Sequence, residues 1–228
     1  MIISGADIVD VGGYSSRPGA KDISIEDELN RVIPAIEILK QKFPETIVSI
    51  DTFRSRVARE AIISGADIVN DISGGNLDPN MFETVSKHKV TYILMHMRGS
   101  PKNMMSKTDY ENVTKDVCKY FSERIDKAKS FGINDIIIDP GFGFSKTTQQ
   151  NYELFNNLEF FKEFQRPIIV GISRKSMIYK ILNTTPEKAL NGSSVLHTIS
   201  LMKGANILRT HDVKEALECV KIVSQLNG

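Results

Sequence analysis

Cysteine is scarce in this 228-residue chain: Cys118 and Cys219 are the only two. Two thiols in a chain of this size make no disulfide framework, so an intracellular, cytoplasmic location is expected. Both fall on amphipathic helical patterns and read as packing residues. An excess of one charge is also missing. Lys and Arg total 29, Asp and Glu 28, for a formal net charge of +1. A general nucleic-acid binder carries a clear basic excess, so no nucleic-acid partner is expected. No apolar run approaches the roughly 20 residues that span a bilayer, so no membrane partner is expected either. The opening MIISGADIVD has no basic n-region and no cleavage site, and does not read as a secretory signal.

Several catalytic motifs are absent as well. There is no G-x-G-x-x-G and no G-x-S-x-G. GFGFSK at 141–146 lacks the glycine before the lysine that a phosphate-binding P-loop needs. Only His96 and His211 lie at strand ends, too few for a metallohydrolase. His88 and His197 sit within helical patterns, and His96 reads equally as a packed core histidine or as support for a site.

What remains is an ordinary globular composition, 41% hydrophobic and 25% charged, with a clear alternation of segments. Apolar runs rich in Ile and Val recur at 6–13, 46–52, 66–73, 90–97, 134–141, 167–173 and 205–212. Continuous runs of this kind suit strands buried on both faces of a parallel sheet. Helical spacing fills 24–43, with Ser24 as cap and Glu26, Asp27 and Glu28 at the positive end of the dipole. Helices are also expected over 53–64, 80–88, 110–131, 150–164 and 176–182, from a start at Thr185-Pro186-Glu187, and after Asp212 as cap. With no linker or break in composition, 1–228 reads as one domain.

The octapeptide IISGADIV occurs at 2–9 and again at 62–69. The second copy ends a helix, turns at Gly65 and enters a strand; FGINDIII (131–138) and KGANIL (203–208) are looser copies. Repeated helix–glycine–strand junctions imply parallel strands joined by right-handed crossovers. Seven strands without a dinucleotide fingerprint favour a closed barrel over an open sheet. If the first copy is the same junction, the chain starts in the last turn of a helix. The expected fold is then a (β/α)8 TIM barrel lacking its first strand and most of its first helix.

In such a barrel the chemistry sits at the carboxyl ends of the strands. Asp51, Asn70 and Asp139 offer carboxylate and amide edges there, suited to a heterocycle rich in N–H donors, such as a pterin or guanine-like ring. Arg17, Lys175, Arg209 and His211 offer positive charge for a phosphate or diphosphate. Asp10, Asp71 and Asp212 read as helix caps or supports of the barrel end. Phe142 reads as core.

Taken in order, GGYSSRPGA (12–20), SIDT (49–52), VNDIS (69–73), LMHMRGSPKNM (94–104), DPGFGFSK (139–146), GISRKSM (171–177) and RTHDV (209–213) resemble the dihydropteroate synthase family of folate biosynthesis over essentially the whole chain. The resemblance implies a homodimeric TIM-barrel transferase, a sulfonamide target. It joins 7,8-dihydropterin-6-ylmethyl diphosphate to p-aminobenzoate, giving dihydropteroate and diphosphate, with Mg2+ as cofactor. It implies that Asp51, Asn70, Asp139 and Lys175 hold the pterin, that Met95 and Gly171 line its slot, and that Arg209 and His211 bind diphosphate. Arg17, Pro18, Phe144 and Ser176 would shape the aminobenzoate site, with Ser16 and Ser173 near it. Asp51, Lys175, Arg209 and His211 are the expected catalytic group.

The chain departs from the family pattern at Tyr14 and Ser16, where Glu and Thr are usual, and at Ser145, where Gly is common. The family's Asn-Val-Thr-Pro-Asp-Ser-Phe-type loop, whose Asn helps to hold the magnesium diphosphate, has no match here, so no metal ligand and little or no turnover are expected of the 228-residue chain. Two other readings are a pterin-binding remnant without turnover and a methyltetrahydrofolate-type methyltransferase.

Overall fold

Seven parallel strands follow one another in chain order in the computed structural model, which describes residues 1–17 and 19–226. They are β1 (Ile8–Gly12), β2 (Ile47–Asp51), β3 (Ile68–Asp71), β4 (Thr91–Met95), β5 (Ile136–Asp139), β6 (Ile169–Val170) and β7 (Ile207–Leu208). Strands β1 to β5 are hydrogen-bonded in sequence, β6 pairs with β7, and a bridge between Ile138 and Ile168 joins the two groups. Every pairing is parallel. The α-helices are α1 (Ile25–Lys42), α2 (Ser55–Ile63), α3 (Met81–His88), α4 (Val113–Ser130), α5 (Thr148–Asn156), α6 (Ser176–Tyr179), α7 (Leu190–Met202) and α8 (Val213–Leu226). This is the β/α-barrel alternation expected from the apolar runs. Among the described residues β1 and β7 are not paired with each other.

The period of a strand explains where the site forms. Alternate side chains share a face, and one face of each strand points into the barrel. Ile8, Ile68, Ile93, Ile137, Ile169 and Ile207, from six strands, pack together there as a small apolar layer. Fully burying each such side chain contributes about 1.5–3 kcal/mol. The intervening residues, among them Val48, Ile50, Val69, Leu94, Ile136, Ile138 and Val170, face outward into the main core with the helices.

Glycine sets the helix-to-strand turns. Gly5, Gly65, Gly132 and Gly204 all adopt positive φ, between 89° and 112°, where a side chain is strained. The four expected junctions therefore share one geometry. The turn before Gly5 is a 3-10 turn, Ile2–Ser4, rather than an α-helical one. Ser24 caps α1 as expected, its hydroxyl accepting from Asp27 N while Asp27 reaches back to Ser24 N.

Three helix expectations are corrected. The helix expected over 150–164 is capped by Thr147 and gives way to a 3-10 segment, Leu158–Phe164. The one expected over 176–182 is a single turn, after which Asn183 takes a left-handed φ of 49°. Pro186 opens a 3-10 turn, Pro186–Lys188, and α7 starts at Leu190. Arg174 takes the carbonyls of Pro186 and Glu187 with one guanidinium nitrogen, which draws them off the helical direction. Arg174 also forks onto Asp212 at 2.8 Å twice. The Asp212 carboxylate thus holds the β6 loop instead of capping α8.

Among the described residues no helix is long and apolar enough to cross a membrane.

Candidate active site

The site is the layer directly above the isoleucines. Two residues beyond each inward-facing side chain comes Asp10 after Ile8, Asp51 after Ser49, Asn70 after Ile68, Met95 after Ile93, Asp139 after Ile137, Gly171 after Ile169 and Arg209 after Ile207. The same alternation that builds the apolar floor therefore builds a polar rim. Six of these seven are expected pterin or diphosphate residues.

The seventh, Asp10, caps no helix and supports the barrel end, the second of its two expected roles. Its Oδ2 accepts from Arg209 Nε at 2.6 Å and from Asn70 Nδ2 at 3.1 Å, while its Oδ1 is buried without a partner. Its place two residues after Ile8 was the available signal. Asp71, by contrast, supports a turn: it accepts from Ser73 N and Oγ, Gly75 N and the Tyr92 hydroxyl.

Arg209 links three strands. Besides Asp10 on β1, its Nη2 donates to Asp51 Oδ2 on β2 at 2.7 Å. The two edge strands are thereby joined by side chains. Burial and the neighbouring Asp10 push the Asp51 carboxyl up to about 7, against the pull of Arg209. Arg209 is held still more firmly in its charged form by the two carboxylates.

Asp139 is buried, its Oδ1 fixed by Gly141 N at 2.8 Å, and burial raises its pKa although Lys175 opposes the shift. Lys175 Nζ donates to the Phe142 carbonyl at 2.6 Å and lies 4.8 Å from the Phe144 ring centroid. Burial lowers its pKa to about 8, against the pull of Asp139. Phe142 is buried in the core as expected; Phe144 is half-buried against Ile72, Met95, Met97 and Met104.

The remaining expected residues lie around this layer. His211 is exposed, and Ser173 Oγ accepts its backbone N–H at 3.3 Å and faces its Nδ1 at 3.1 Å. Partial burial and the Arg209 charge lower the His211 pKa. Ser176 opens the single turn of α6 directly after Lys175. Ser16 and exposed Arg17 sit on the β1–α1 loop, and the Arg17 charge also acts on His211. Pro18 lies outside the described residues. Tyr14, where the family has Glu, packs edge-on against Phe53 at 5.0 Å and under the Arg54 guanidinium at 5.1 Å.

Two buried groups escaped the sequence reading. Lys146 is 2% exposed and contacts His96, which is equally buried. Glu28, expected only as a charge near the α1 N-terminus, is fully buried against Thr52 and Arg54.

The arrangement does not make a magnesium cage. Among the described residues no three His, Cys, Asp or Glu side chains converge, and Asp10 and Asp51 are both engaged by Arg209.

The model of the family described as "Pterin binding enzyme" matches residues 1–211. The chain is 44% identical over 225 residues to the dihydropteroate synthase of Escherichia coli strain K12, covering 98% of this chain and 79% of that protein. The chain belongs to the dihydropteroate synthase family. Members are transferases, and their solved structures share this fold. The Yersinia pestis dihydropteroate synthase in a sulfonamide drug complex superposes with a TM-score of 0.96 at 38% identity, covering 99% of this chain and 82% of that one. The Clostridium difficile dihydropteroate synthase, solved in the presence of pteroic acid, gives 0.93 at 36% identity, covering 99% and 84%. The polar rim above the isoleucines is thus the candidate active site of a dihydropteroate synthase.

Proposed function

We propose that this chain condenses 7,8-dihydropterin-6-ylmethyl diphosphate with p-aminobenzoate, releasing diphosphate. The observation that carries the reading is Arg209 lying across Asp10 and Asp51 at the strand ends that also carry Asn70, Asp139 and Lys175. Membership of the family supports it, as does the relative solved in the presence of pteroic acid.

The residues divide by charge. Asp139 and Asn70 offer acceptors to the N–H edge of the pterin, and Lys175 donates at its rim. Arg209 turns its cation toward the departing diphosphate, with His211 beside it. Breaking the bond between the methylene carbon and the diphosphate oxygen leaves the electron pair on diphosphate and a cation on the pterin. Arg209 stabilises the first charge and ionised Asp51 the second. The neutral aromatic amine of p-aminobenzoate then forms the new C–N bond and loses a proton to solvent. Phe144, Ser176, Ser16 and Arg17 border the side from which it arrives.

Magnesium accompanies diphosphates as their counter-ion. The described residues do not fit a magnesium site, and the steps above do not pass through it. A homodimer through α7 and α8 is part of the same reading, supported by the exposed Val195, Met202 and Val220 on those helices. A cytoplasmic location suits the free thiols of Cys118 and Cys219.

The test is p-aminobenzoate-dependent release of diphosphate by the purified chain. Lys175→Ala should weaken pterin binding and Arg209→Ala should weaken use of the diphosphate, each by at least tenfold, about 1.4 kcal/mol. Methyl transfer without diphosphate release, or no effect of either substitution, would overturn the reading.

A further inference from the structure

The β5–α5 loop carries three left-handed residues in alternation: Gly141 at φ 71°, Gly143 at 82° and Ser145 at 45°. Such a backbone is not held by local preference, least of all at Ser145, where a side chain is strained. Something must fix it, because the loop has two tasks at the pterin slot. Gly141 N orients the Asp139 carboxylate at 2.8 Å, and the Phe142 carbonyl receives Lys175 at 2.6 Å.

We propose that Lys146 is a positioning residue for the pterin slot, its buried ammonium clamping the loop in the shape that presents Asp139 and the Phe142 carbonyl. The proposal rests on the pterin reading and extends it to a group outside the slot. An ammonium has three donors and no acceptor. Lys146 Nζ finds three acceptors: His96 Nδ1 at 3.0 Å, the Gly141 carbonyl at 3.0 Å and the Phe144 carbonyl at 3.2 Å. All three donors are used, so none remains for a ligand. Burial lowers the Lys146 pKa to about 7, and no carboxylate among the described residues is in contact with it, so its charged form depends on complete hydrogen bonding.

The His96 acceptor sets what the clamp is anchored to. His96 Nδ1 can accept only in a neutral ring protonated on Nε2, and burial beside Lys146 holds the His96 pKa well below its ordinary value. The ring is wedged edge-on against Tyr120 at 4.8 Å, and the Tyr120 hydroxyl donates to the Met95 carbonyl at 2.9 Å. His96 N donates to the Asp139 carbonyl at 2.9 Å. The clamp thus ties the loop to the end of β4, next to Met95 in the rim layer. At Gly141 a side chain would collide with the His96 carbonyl, so the loop and the strand end are in direct contact there.

The experiment is calorimetric titration of the purified chain with 6-hydroxymethylpterin, alongside thermal unfolding of the same samples. Lys146→Met should weaken pterin binding at least tenfold at a temperature where the protein is folded. The KM for p-aminobenzoate should change less than the KM for the pterin diphosphate. A Lys146→Met protein that is folded and binds pterin like wild type would overturn the proposal, even if its melting temperature falls. Should that variant not fold, His96→Leu and His96→Asn decide. Leu removes one acceptor and should weaken binding; Asn keeps an oxygen near Nδ1 and should restore it. Equal pterin affinity in those two would also overturn the clamp. Absence of pterin binding by the wild-type chain would overturn the pterin reading itself, and the clamp with it.

Discussion

Arg209 and Asp51 are 158 residues apart in sequence, yet Nη2 and Oδ2 meet at 2.7 Å across the mouth of the barrel. The pair reaches from the last strand to the second, and Asp10 on the first strand shares the same guanidinium at 2.6 Å. One cation is thus shared by two carboxylates. Arg209 is the main influence keeping Asp51 ionised against burial and Asp10. In Arg209→Gln the Asp51 carboxyl should titrate above about 7. A carbon-13 NMR titration of the Asp side chains reads this directly. An Asp51 midpoint at or below that of wild type would contradict the assignment.

Asp51 also links stability and activity with opposite signs. Its folded pKa of about 7 lies above its ordinary value of 3.8. A carboxyl raised in this way binds its proton more tightly in the folded state. Its contribution to stability is complete below pH 3.8 and is lost as pH rises through about 7. The stability difference between wild type and Asp51→Asn should therefore move against wild type from pH 4 to pH 7, as followed by urea denaturation. The rate should rise over the upper part of that window, because the ionised carboxylate is the form that stabilises a pterin cation. A wild-type rate falling through pH 7, or a stability difference independent of pH, would sink this role for Asp51.

The strands and the rim were legible because both follow from one short-range rule. Ile137 and Asp139, or Ile68 and Asn70, are separated by two residues on strands marked by their apolar runs, and a period of two puts them on one face. Asp10 obeys the same rule after Ile8, but its aspartate also suits a helix cap, and the local pattern did not separate the two. Asp212 likewise suits a cap or a support of the barrel end, and the structure gives the support through Arg174, 38 residues away and outside any local pattern. Lys146 and Glu28 were invisible as site supports. Their burial depends on carbonyls and side chains brought in by other elements, and a charged residue in a polar stretch carries no mark of being enclosed. The 3-10 turn at Pro186 was hidden likewise, because Arg174 supplies the hydrogen bonds that redirect it.

Ser145 stands where the family commonly has glycine, and its φ of 45° explains the preference. Serine is tolerated because its Oγ accepts from Arg98 N at 2.9 Å and lies 3.3 Å from the Tyr110 hydroxyl. Ser145→Ala keeps the strain and loses both contacts, and should destabilise by about 1–3 kcal/mol. Ser145→Gly loses the contacts but relieves roughly 1 kcal/mol or more of strain. Chemical denaturation should accordingly rank Gly above Ala. The reverse order would mean that the hydroxyl is not what compensates the left-handed backbone.

Glu28 joins helix α1 to the end of β2. Its carboxylate is fully buried, accepting from Thr52 Oγ1 at 2.7 Å and from Arg54 Nη1 at 2.8 Å, immediately beyond Asp51. Arg54 in turn donates to the Ile23 carbonyl at 2.9 Å and lies over the Tyr14 ring. One carboxylate therefore fixes both the Asp51 strand end and the start of the loop that carries Ser16 and Arg17. Removing it leaves a largely enclosed guanidinium without its main counter-charge, which costs about 3–5 kcal/mol when a buried pair is broken from one side. Glu28→Ala should lose about that much in urea denaturation. Glu28→Gln, which can still accept from Thr52, should lose clearly less. A double-mutant cycle with Arg54→Met separates the pair from the packing: the second substitution should cost little once Glu28 is gone. Additive losses would show that the two residues stabilise the fold independently.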